Sequence, residues 1–271
     1  MEISKSFSKR ANTYDEQSFI QQDVNKRLLN RLRLIKHSQS NVLEIGSGTG
    51  KLSCDIINEY PDVNLISMDL SLEMLKKHKL KNPETNCLVG NAENPPFNYL
   101  SFDTILSSLT LHWCNISSDI FFRFYNLLKP NGLLLFSVAG PDTFSEFRKL
   151  SNNISQKLRF HPLMDMHHYG DFLLQAHFKD PVVDSEKIVL EFETFDELLK
   201  SIRYTGTNIT SSLGSQYFGK TEYKALKESM YNVSSNSYEL TYEIIYGYAL
   251  KPDKTIDKSG NLIQIKEVKK E

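Results

Sequence analysis

Cysteine, net charge and long apolar runs are all scarce in this sequence of 271 residues. The three cysteines, Cys54, Cys87 and Cys114, are far apart and odd in number. A zinc site or a disulfide framework needs cysteines in pairs at characteristic spacings, so we predict three reduced thiols and no metal centre. The formal net charge is only −1, which excludes a global electrostatic field that would attract nucleic acid or an anionic membrane.

No stretch approaches the roughly 18 continuous apolar residues of a membrane helix. Residues 1–10, MEISKSFSKR, also lack the apolar core of a signal peptide. We therefore expect a cytoplasmic protein whose partners are neither membranes nor nucleic acids. Hydrophobic residues make up 40% of the chain and charged residues 24%, so the chain can bury a full core as one large domain or as one domain with a cap.

A short apolar run leads directly into a loop with a glycine at every second position. Residues 42–50 read VLEIGSGTG, and an amphipathic stretch follows over residues 51–58. Glycine permits positive φ and close approach of a ligand, and the start of the next helix offers unpaired N–H groups. The spacing differs from the dinucleotide-binding fingerprint, which has its third glycine three residues after the second. The loop by itself is therefore a weak signal for a nucleotide site.

Features at fixed distances beyond the loop strengthen this signal. A second apolar run ends in Asp69, and the sequence GNAE follows at residues 90–93. A carboxylate at the end of a strand can accept hydrogen bonds from both hydroxyls of a ribose, so Asp69 indicates an adenosine moiety.

Together these features resemble the class I S-adenosylmethionine-dependent methyltransferases. The resemblance implies S-adenosylmethionine as cofactor, S-adenosylhomocysteine as product and no metal. It implies cofactor contacts at Glu44, Gly46, Ser47, Gly48, Asp69, Leu70, Asn91, Ala92, Glu93 and Ser107.

Strand-like and helical runs alternate between residues 41 and 138, which predicts an α/β fold with helices on both faces of a parallel sheet. The resemblance implies the Rossmann-like form of this fold, with a mostly parallel sheet of seven strands. The predicted strands are 42–45, 64–68, 86–89, 102–107, 132–138, 187–192 and 238–250. The predicted helices are 15–36, 51–58, 71–79, 117–128, 195–203 and 221–231.

We expect one domain over residues 1–252. Its parts are an N-terminal helical lid (1–37), a helical insertion (141–180) and a C-terminal part of the fold with a cap (181–252). Residues 253–271 are charged and poor in large apolar side chains, which predicts a flexible tail.

Five further segments narrow the resemblance to one family. They read FSKRANTYD at 7–15, SSLTLHWC at 107–114, TFSEFR at 143–148, IRYTGTN at 202–208 and LTYEIIYG at 240–247. These segments resemble the malonyl-acyl-carrier-protein O-methyltransferases of biotin synthesis, over about residues 6–252. The resemblance implies methylation of the free carboxylate of a malonyl thioester, carried by acyl carrier protein or by coenzyme A.

Two positions depart from the family pattern. The family usually has an acid where Asn91 stands, and commonly a cysteine at Ser47. The side-chain oxygen of Asn91 can still accept a hydrogen bond from the adenine amino group, so we expect a modest effect on cofactor affinity.

The implied reaction needs no general base. A malonyl carboxylate has a pKa of roughly 3 to 4 and is already an anion at neutral pH, so catalysis must come from positioning in a dry pocket. The candidates that hold one carboxylate oxygen are Tyr14, His112, Arg148 and Arg203. Each has a structural alternative: a packing aromatic ring, a structural imidazole, or a solvated basic side chain.

An acidic carrier protein would dock on a basic surface. Basic residues concentrate in the predicted inserted and C-terminal helices: Lys149, Lys157, Arg159, Lys200, Arg203, Lys220, Lys224 and Lys227. An ordinary solvated helix face would have the same composition.

Two other functions stay open: methylation of another small carboxylic acid, as in the aconitate methyltransferases, and a non-methylating role in the assembly of a complex. The tetrapeptide NPPF at 94–97 is typical of nitrogen-directed methyltransferases, where it ends the fourth strand. Here it precedes that strand, which argues against methylation of nitrogen.

Overall fold

A computed structural model of the chain describes residues 2–148, 161–204, 220–253, 255–256 and 262–263. Its helices are α1 (Glu2–Arg10), α2 (Tyr14–Gln17), α3 (Phe19–Leu34), α4 (Lys51–Glu59), α5 (Leu72–Lys81), α6 (Ser118–Leu127), α7 (Ser145–Arg148), α8 (Met166–Gln175), α9 (Phe195–Tyr204) and α10 (Lys220–Ser229), with a 3-10 turn at Leu111–Trp113. Its strands are β1 (Asn41–Ile45), β2 (Asn64–Asp69), β3 (Asn86–Val89), β4 (Phe102–Ser108), β5 (Leu128–Ala139), β6 (Lys179–Phe192), β7 (Tyr231–Asn232), β8 (Ser237–Leu250), β9 (Thr255–Ile256) and β10 (Leu262–Ile263).

The main sheet has the strand order β3-β2-β1-β4-β5-β8-β6, and the two-residue strand β7 pairs with β8. Neighbours from β3 to β5 are parallel, whereas β8 is antiparallel to both β5 and β6. The predicted Rossmann-like, mostly parallel sheet is confirmed, with β7 as a short addition. The strand order reverses around β1, which lies between β2 and β4, and ligands of open α/β sheets bind in the crevice at such a point.

Both faces of the sheet are covered. Side chains alternate along a strand, so Val42 contributes to the apolar cluster that contains α3, α4 and α9, whereas Leu43 and Ile45 contribute to the cluster that contains α6 and α8. This two-sided burial explains why the central strands read as continuous apolar runs. It leaves the carboxyl ends of the strands as the surface where a ligand can reach the loops.

The C-terminal strands differ from the prediction. Strand β6 begins at Lys179, although residues 179–180 were predicted to belong to the helical insertion and a strand was predicted only from residue 187. Its first half, KDPVVDSEK, alternates exposed and partly buried residues, and its sequence carries little apolar signal. Pairing with β8 extends from Lys179 opposite Leu250 to Phe192 opposite Tyr238, so the partner strand fixes this segment.

The predicted N-terminal helix is divided into α2 and α3, and α1 precedes them. Helix α3 buries Val24, Leu28 and Leu32 in the core, while α1 packs against α5. None of the described helices is both long and apolar enough to cross a membrane. The three cysteines have free thiols.

Candidate active site

A cavity of about 300 Å³ lies at the carboxyl ends of β1, β2 and β4. The predicted site residues that line it are Tyr14, Gly46, Asp69, Leu70, Asn91, Ala92 and Glu93. The remaining lining residues are Ser4, Phe7, Ile45, Met68, Ser71, Met74, Gly90, Ser108, Leu109, Thr110, Trp113 and Cys114. The fold therefore brings segments from both sides of the strand-order reversal to one place.

The glycine loop needs glycine at two positions for reasons of space as well as conformation. Gly46 has φ +75°, and an added Cβ would lie 2.0 Å from Oγ1 of Thr110. Gly50 has φ +82°, and an added Cβ would lie 2.6 Å from the ring of His78. Gly48 also has a positive φ of +54°, but the space beside it is open. The side chains of Thr110 and His78 thus pack directly against the backbone of the loop.

Helix α5 supports the far side of the loop. The ring of His78 is fully buried, and its Nδ1 lies 3.3 Å from Oγ of Ser47. Burial, with a smaller effect of Lys81 and Lys79, lowers the pKa of His78 to about 4, so the imidazole is neutral at physiological pH. Asn82 donates a hydrogen bond of 2.9 Å to the carbonyl of Gly50.

The Asp69 carboxylate is oriented by the backbone around it. Its Oδ2 accepts from the N–H of Gly48 and its Oδ1 from the N–H of Ser71, both at 2.8 Å. Burial raises the pKa of Asp69, and these backbone hydrogen bonds oppose that effect. A carboxylate has about four lone-pair sites, so acceptor capacity remains toward the cavity for a ribose diol.

Glu44 lies beneath the cavity wall and does not line the cavity. It is buried, and its carboxylate accepts hydrogen bonds from the hydroxyls of Ser53 and Ser67. Burial raises its pKa to about 7. These hydrogen bonds connect β1 with α4 and β2 on either side of the glycine loop and thereby stabilise the loop.

Two predicted serines and one predicted glycine also lie behind the cavity wall. Ser107 is buried and donates to the carbonyl of Ile45 at 3.0 Å, while its neighbour Ser108 lines the cavity. Ser47 faces His78 and a second, smaller cavity. Gly48 binds the Asp69 carboxylate through its N–H.

The loop after β3 is held in place by its own side chains. Oδ1 of Asn91 accepts from the N–H of Glu93 at 3.0 Å. Oε1 of Glu93 in turn accepts from the N–H of Asn115 at 2.8 Å. The oxygen of Asn91 that we expected to meet the adenine amino group is thus engaged within the loop, and the Glu93 carboxylate is a second acceptor on the same wall.

Three aromatic rings form one side of the cavity. The Phe7 ring centroid lies 6.4 Å from that of Tyr14 and 5.8 Å from that of Trp113, both edge to face. Burial, followed by the charges of Asp69 and Asp15, raises the pKa of Tyr14. The phenol is therefore protonated at neutral pH and can donate a hydrogen bond.

His112 lies next to this wall and does not line the cavity. Its Nδ1 accepts from the N–H of Ala139 at 3.4 Å. Burial, together with the neighbouring His161, lowers the pKa of His112 to about 3, so it is a neutral imidazole. We assigned His161 no role from the sequence, yet its Nε2 donates to the carbonyl of His112 at 2.6 Å and its ring lies 4.9 Å from Trp113.

The basic candidates lie at element ends. Arg148 is the last residue of α7 and Arg203 lies in the last turn of α9, and the side chains of both are outside the described residues. Lys149, Lys157 and Arg159 lie outside the described residues altogether, and the same holds for the side chain of Lys220.

The sequence analysis missed a small polar cavity of about 50 Å³ next to the main one. Tyr14 and Ser108 line both cavities, and Gln21 and Asn25 of α3 line the small one. Gln21 is 8% exposed, and its buried Oε1 has no hydrogen-bond partner among the described residues. The sequence does contain a signal for this cavity, because two amide side chains four residues apart, Gln21 and Asn25, interrupt the apolar face of α3.

The site suits a cationic adenosine ligand. Asp69 and Glu93 line the main cavity, and the lining includes no Lys or Arg among the described residues. Aromatic faces attract cations, and Asp69 suits a ribose. The NPPF segment lies before β4, and Asn94 within it accepts from Arg123 at 2.9 Å on the surface.

Comparisons with known proteins agree with this reading. A family model described as "Methyltransferase domain" matches residues 43–136. Phosphoethanolamine N-methyltransferase 2 of Haemonchus contortus, solved with S-adenosylhomocysteine, superposes with a TM-score of 0.55 at 22% identity over 84% of this chain and 52% of that one. A structure described as a methyltransferase of Bacillus halodurans superposes with a TM-score of 0.59 at 18% identity over 84% of this chain and 99% of that one. Fold and site together define a class I S-adenosylmethionine-dependent methyltransferase.

Sequence relatives narrow the class to one family. The malonyl-[acyl-carrier protein] O-methyltransferase of Gallionella capsiferriformans is 32% identical, over 96% of this chain and 94% of the relative. The protein of the same name from Legionella pneumophila is also 32% identical, over 92% of this chain and 90% of the relative. The chain belongs to the malonyl-[acyl-carrier protein] O-methyltransferase family.

Proposed function

We propose that this protein transfers a methyl group from S-adenosylmethionine to the free carboxylate of a malonyl group on acyl carrier protein. One observation carries the proposal: in a chain of this family, Asp69, Glu93 and three aromatic rings line a cavity at the strand-order reversal. The product would be a malonyl methyl ester for biotin synthesis. The scarcity of apolar runs supports a cytoplasmic location.

The residues of the main cavity have separable roles in binding. S-adenosylmethionine supplies a methyl group made electrophilic by a sulfonium. Asp69 would accept from the ribose hydroxyls, and Asn91 with Glu93 would face the adenine. Gly46 lines the cavity and lets Thr110 pack against the backbone of the loop. The rings of Phe7, Tyr14 and Trp113 exclude water and favour the positive charge.

The smaller cavity suits the amino-acid end of the cofactor. An ammonium and a carboxylate need acceptors and donors close together, and Gln21 and Asn25 carry both in their amides. Ser47 and Ser108 add hydroxyls to the same cavity. This assignment also gives the buried Oε1 of Gln21 a partner.

The methyl acceptor, the malonyl carboxylate, has to be oriented but does not have to be deprotonated by the protein. Because the malonyl carboxylate is ionised at neutral pH, the chain has to hold one oxygen and leave the other to attack the methyl carbon. The protonated phenol of Tyr14 lines the cavity and can donate this hydrogen bond, and Arg148 and Arg203 stay predictions for this role. Neutral His112 can support the wall through Trp113, whose ring centroid lies 5.0 Å away, but it brings no positive charge.

The partner follows from the substrate. Of the basic residues that we predicted for a docking rim, Lys200, Lys224 and Lys227 are described and exposed. Lys224 lies 3.7 Å from Glu228, and exposed pairs of this kind are weak. These lysines can therefore meet an acidic carrier without a large loss of internal contacts.

Mass spectrometry of the carrier tests the proposal. Purified protein, S-adenosylmethionine and malonyl-acyl carrier protein should give a carrier heavier by one methyl group, which alkaline hydrolysis removes. Acetyl-acyl carrier protein, which has no free carboxylate, should stay unmodified, and malonyl-coenzyme A compares the two carriers. Binding of S-adenosylhomocysteine without transfer to either malonyl thioester would overturn the proposal in favour of another small acid or an assembly role.

A further inference from the structure

We propose that Asp15 is a positioning residue that fastens the N-terminal helices over the main cavity and thereby sets the rate of cofactor exchange. This inference rests on the proposed function only in requiring that the cavity binds S-adenosylmethionine and its product. We call Asp15, Thr49 and Lys81 the Asp15 clasp.

The clasp joins three separate elements through one carboxylate. Oδ1 of Asp15, in α2, accepts from the hydroxyl of Thr49 in the glycine loop at 2.6 Å. Oδ2 accepts from Nζ of Lys81, the last residue of α5, at 2.5 Å. Thr49 is buried. One side chain thus holds α2 against both the loop that the cofactor must contact and the helix that supports this loop.

Helix α1 is attached to the same support at two further points. The hydroxyls of Ser8 and Ser71 share a hydrogen bond of 2.8 Å, and the hydroxyl of Ser4 donates to the carbonyl of Leu70 at 3.3 Å. Ser71 also donates its N–H to Asp69. The N-terminal segment therefore contacts the residues that immediately follow the ribose-binding acid.

The clasped segment covers the cavity. Ser4, Phe7 and Tyr14 of α1 and α2 contribute to its lining, and Tyr14 directly precedes Asp15. A nucleoside-sized ligand in this cavity would contact these side chains, so their movement should affect how fast the ligand leaves. Since Asp15 fixes the backbone next to Tyr14, breaking the clasp should loosen Tyr14 first.

The two bonds of the clasp differ in exposure, which makes them separable. The side chains of Lys81 and Asp15 are 36% and 44% exposed, so dissolved salt should weaken this ion pair. The bond to buried Thr49 should respond much less to salt. A positioning role through Lys81 therefore predicts a cofactor dissociation rate that rises with ionic strength.

The chain contains its own probe for the measurement. Trp113 is the one tryptophan of the sequence, it lines the cavity, and it lies against Phe7 of α1. Its fluorescence should change both when ligand binds and when the N-terminal segment moves. Stopped-flow displacement of S-adenosylhomocysteine from the full chain gives the dissociation rate without any methyl acceptor.

Four variants test the proposal. Asp15→Asn should raise the dissociation rate about tenfold, the factor expected for the loss of one charge-assisted hydrogen bond. Thr49→Val should raise it several-fold. Lys81→Met should raise it about twofold to threefold at low salt and make it nearly independent of salt. Glu16→Gln, which removes one charge from an exposed position of the same helix, should leave it unchanged.

Thermal unfolding without ligand separates positioning from general damage. Lys81→Met should unfold at the wild-type temperature, because exposed ion pairs add little stability. The Michaelis constant for S-adenosylmethionine should rise in Asp15→Asn more than the turnover number falls.

Asp15 and Thr49 also line the smaller cavity, whereas Lys81 lines neither cavity. Lys81→Met therefore breaks the clasp without changing the cofactor site, and its dissociation rate decides the matter even if Asp15→Asn does not fold. A faster dissociation in Asp15→Asn with an unchanged, equally salt-dependent rate in Lys81→Met would overturn the positioning role, because Asp15 would then act by direct contact with the ligand.

The outcomes are distinct. Tight binding with a dissociation rate within twofold of wild type in Asp15→Asn would overturn the clasp alone. An equal change in Glu16→Gln would overturn it too, since the charge of the helix would then explain the effect. Wild-type protein that binds no S-adenosylhomocysteine would overturn both the clasp and the proposed function.

Discussion

Single residues around the glycine loop carry two distinct constraints, conformation and space. Gly48 and Gly50 both have positive φ, +54° and +82°, but only Gly50 has a neighbour within reach of an added Cβ, the His78 ring at 2.6 Å. Gly48 and Gly50 therefore share the conformational constraint, but only Gly50 also has the constraint of space.

We expect Gly50→Ala to be clearly more destabilising than Gly48→Ala. The shared left-handed conformation costs roughly 1–2 kcal/mol for a residue with a Cβ. The contact with His78 adds about 1–3 kcal/mol at Gly50 through overpacking. Urea unfolding of both variants measures the difference, and equal free energies of unfolding would show that His78 yields to the added methyl group.

Glu44 should make stability depend on pH. Its pKa rises from 4.5 to about 7 on folding, so between these values the folded state holds a proton that the unfolded state has released. The free energy of unfolding must then fall as pH rises through this window, by up to about 3 kcal/mol. Glu44→Gln, which keeps a neutral side chain of the same shape, should lose less stability than wild type between pH 4.5 and pH 7.

Urea unfolding at several pH values, with wild type and Glu44→Gln compared at each, isolates this contribution from the other carboxylates. Parallel curves for the two proteins would mean that Glu44 is ionised in the folded protein. The hydroxyls of Ser53 and Ser67 would then outweigh the cost of burial.

At the scale of elements, two family-like segments that are far apart in sequence form one contact. Thr143, just before α7, and Glu146, in α7, form hydrogen bonds with residues of β8. The hydroxyl of Thr143 donates to the carbonyl of Glu243, and Glu146 accepts from the N–H and the hydroxyl of Thr241. These bonds fix the direction in which the chain leaves β5. This contact offers a structural reason why segments 143–148 and 240–247 both resemble the family.

The end of α6 has an internal cap. Lys251, only 3% exposed, follows β8, and its Nζ donates to the carbonyls of Tyr125 and Leu128, each at 2.9 Å. The ammonium also lies 4.4 Å from the centroid of the Tyr125 ring. Burial lowers the pKa of Lys251 to about 8, whereas the two carbonyls favour its charged form.

Lys251→Met should lower the free energy of unfolding by about 2 kcal/mol, because two buried carbonyls lose a charged donor. Lys179→Met, at an exposed position that pairs only weakly with Asp180 at 3.6 Å, should change it by less than about 0.5 kcal/mol. Chemical denaturation measures both variants. A Lys251→Met protein as stable as wild type would show that water or another group satisfies the carbonyls.

At the scale of the whole molecule, cofactor binding should stabilise the fold, because the walls of the cavity come from several separate segments between α1 and the turn after β4. A ligand at 100 times its dissociation constant adds about 2.7 kcal/mol to the free energy of unfolding. For a protein of this size the melting temperature should rise by roughly 5–10 °C.

Differential scanning calorimetry with S-adenosylhomocysteine checks this expectation. Asp69→Asn is the comparison, since it removes the charged acceptor for the ribose hydroxyls, and its affinity should fall by roughly tenfold to a hundredfold. The same ligand concentration should then raise its melting temperature less. An equal rise in both proteins would show that Asp69 does not bind the ligand.

Local patterns determined much of this protein from the sequence alone. Strands β1, β4 and β5 follow from apolar runs that are buried on both faces. The glycine loop and Asp69 follow from the ends of the apolar runs of β1 and β2. The alternation of elements also fixes the parallel arrangement, because parallel strands need crossovers. The resemblance over five short segments identified the family.

Only the tertiary structure decided which side chains meet. The first half of β6 is set by pairing with β8, and no local periodicity encodes such a partner. Glu44, Ser107 and Asn91 were assigned to the cofactor by position in a motif, yet their hydrogen bonds within the protein depend on neighbours 2 to 62 residues away. The Asp15 clasp and the buried amides of α3 likewise join distant segments. Contacts of this kind depend on how elements pack, and the periodicity of a single element does not contain that information.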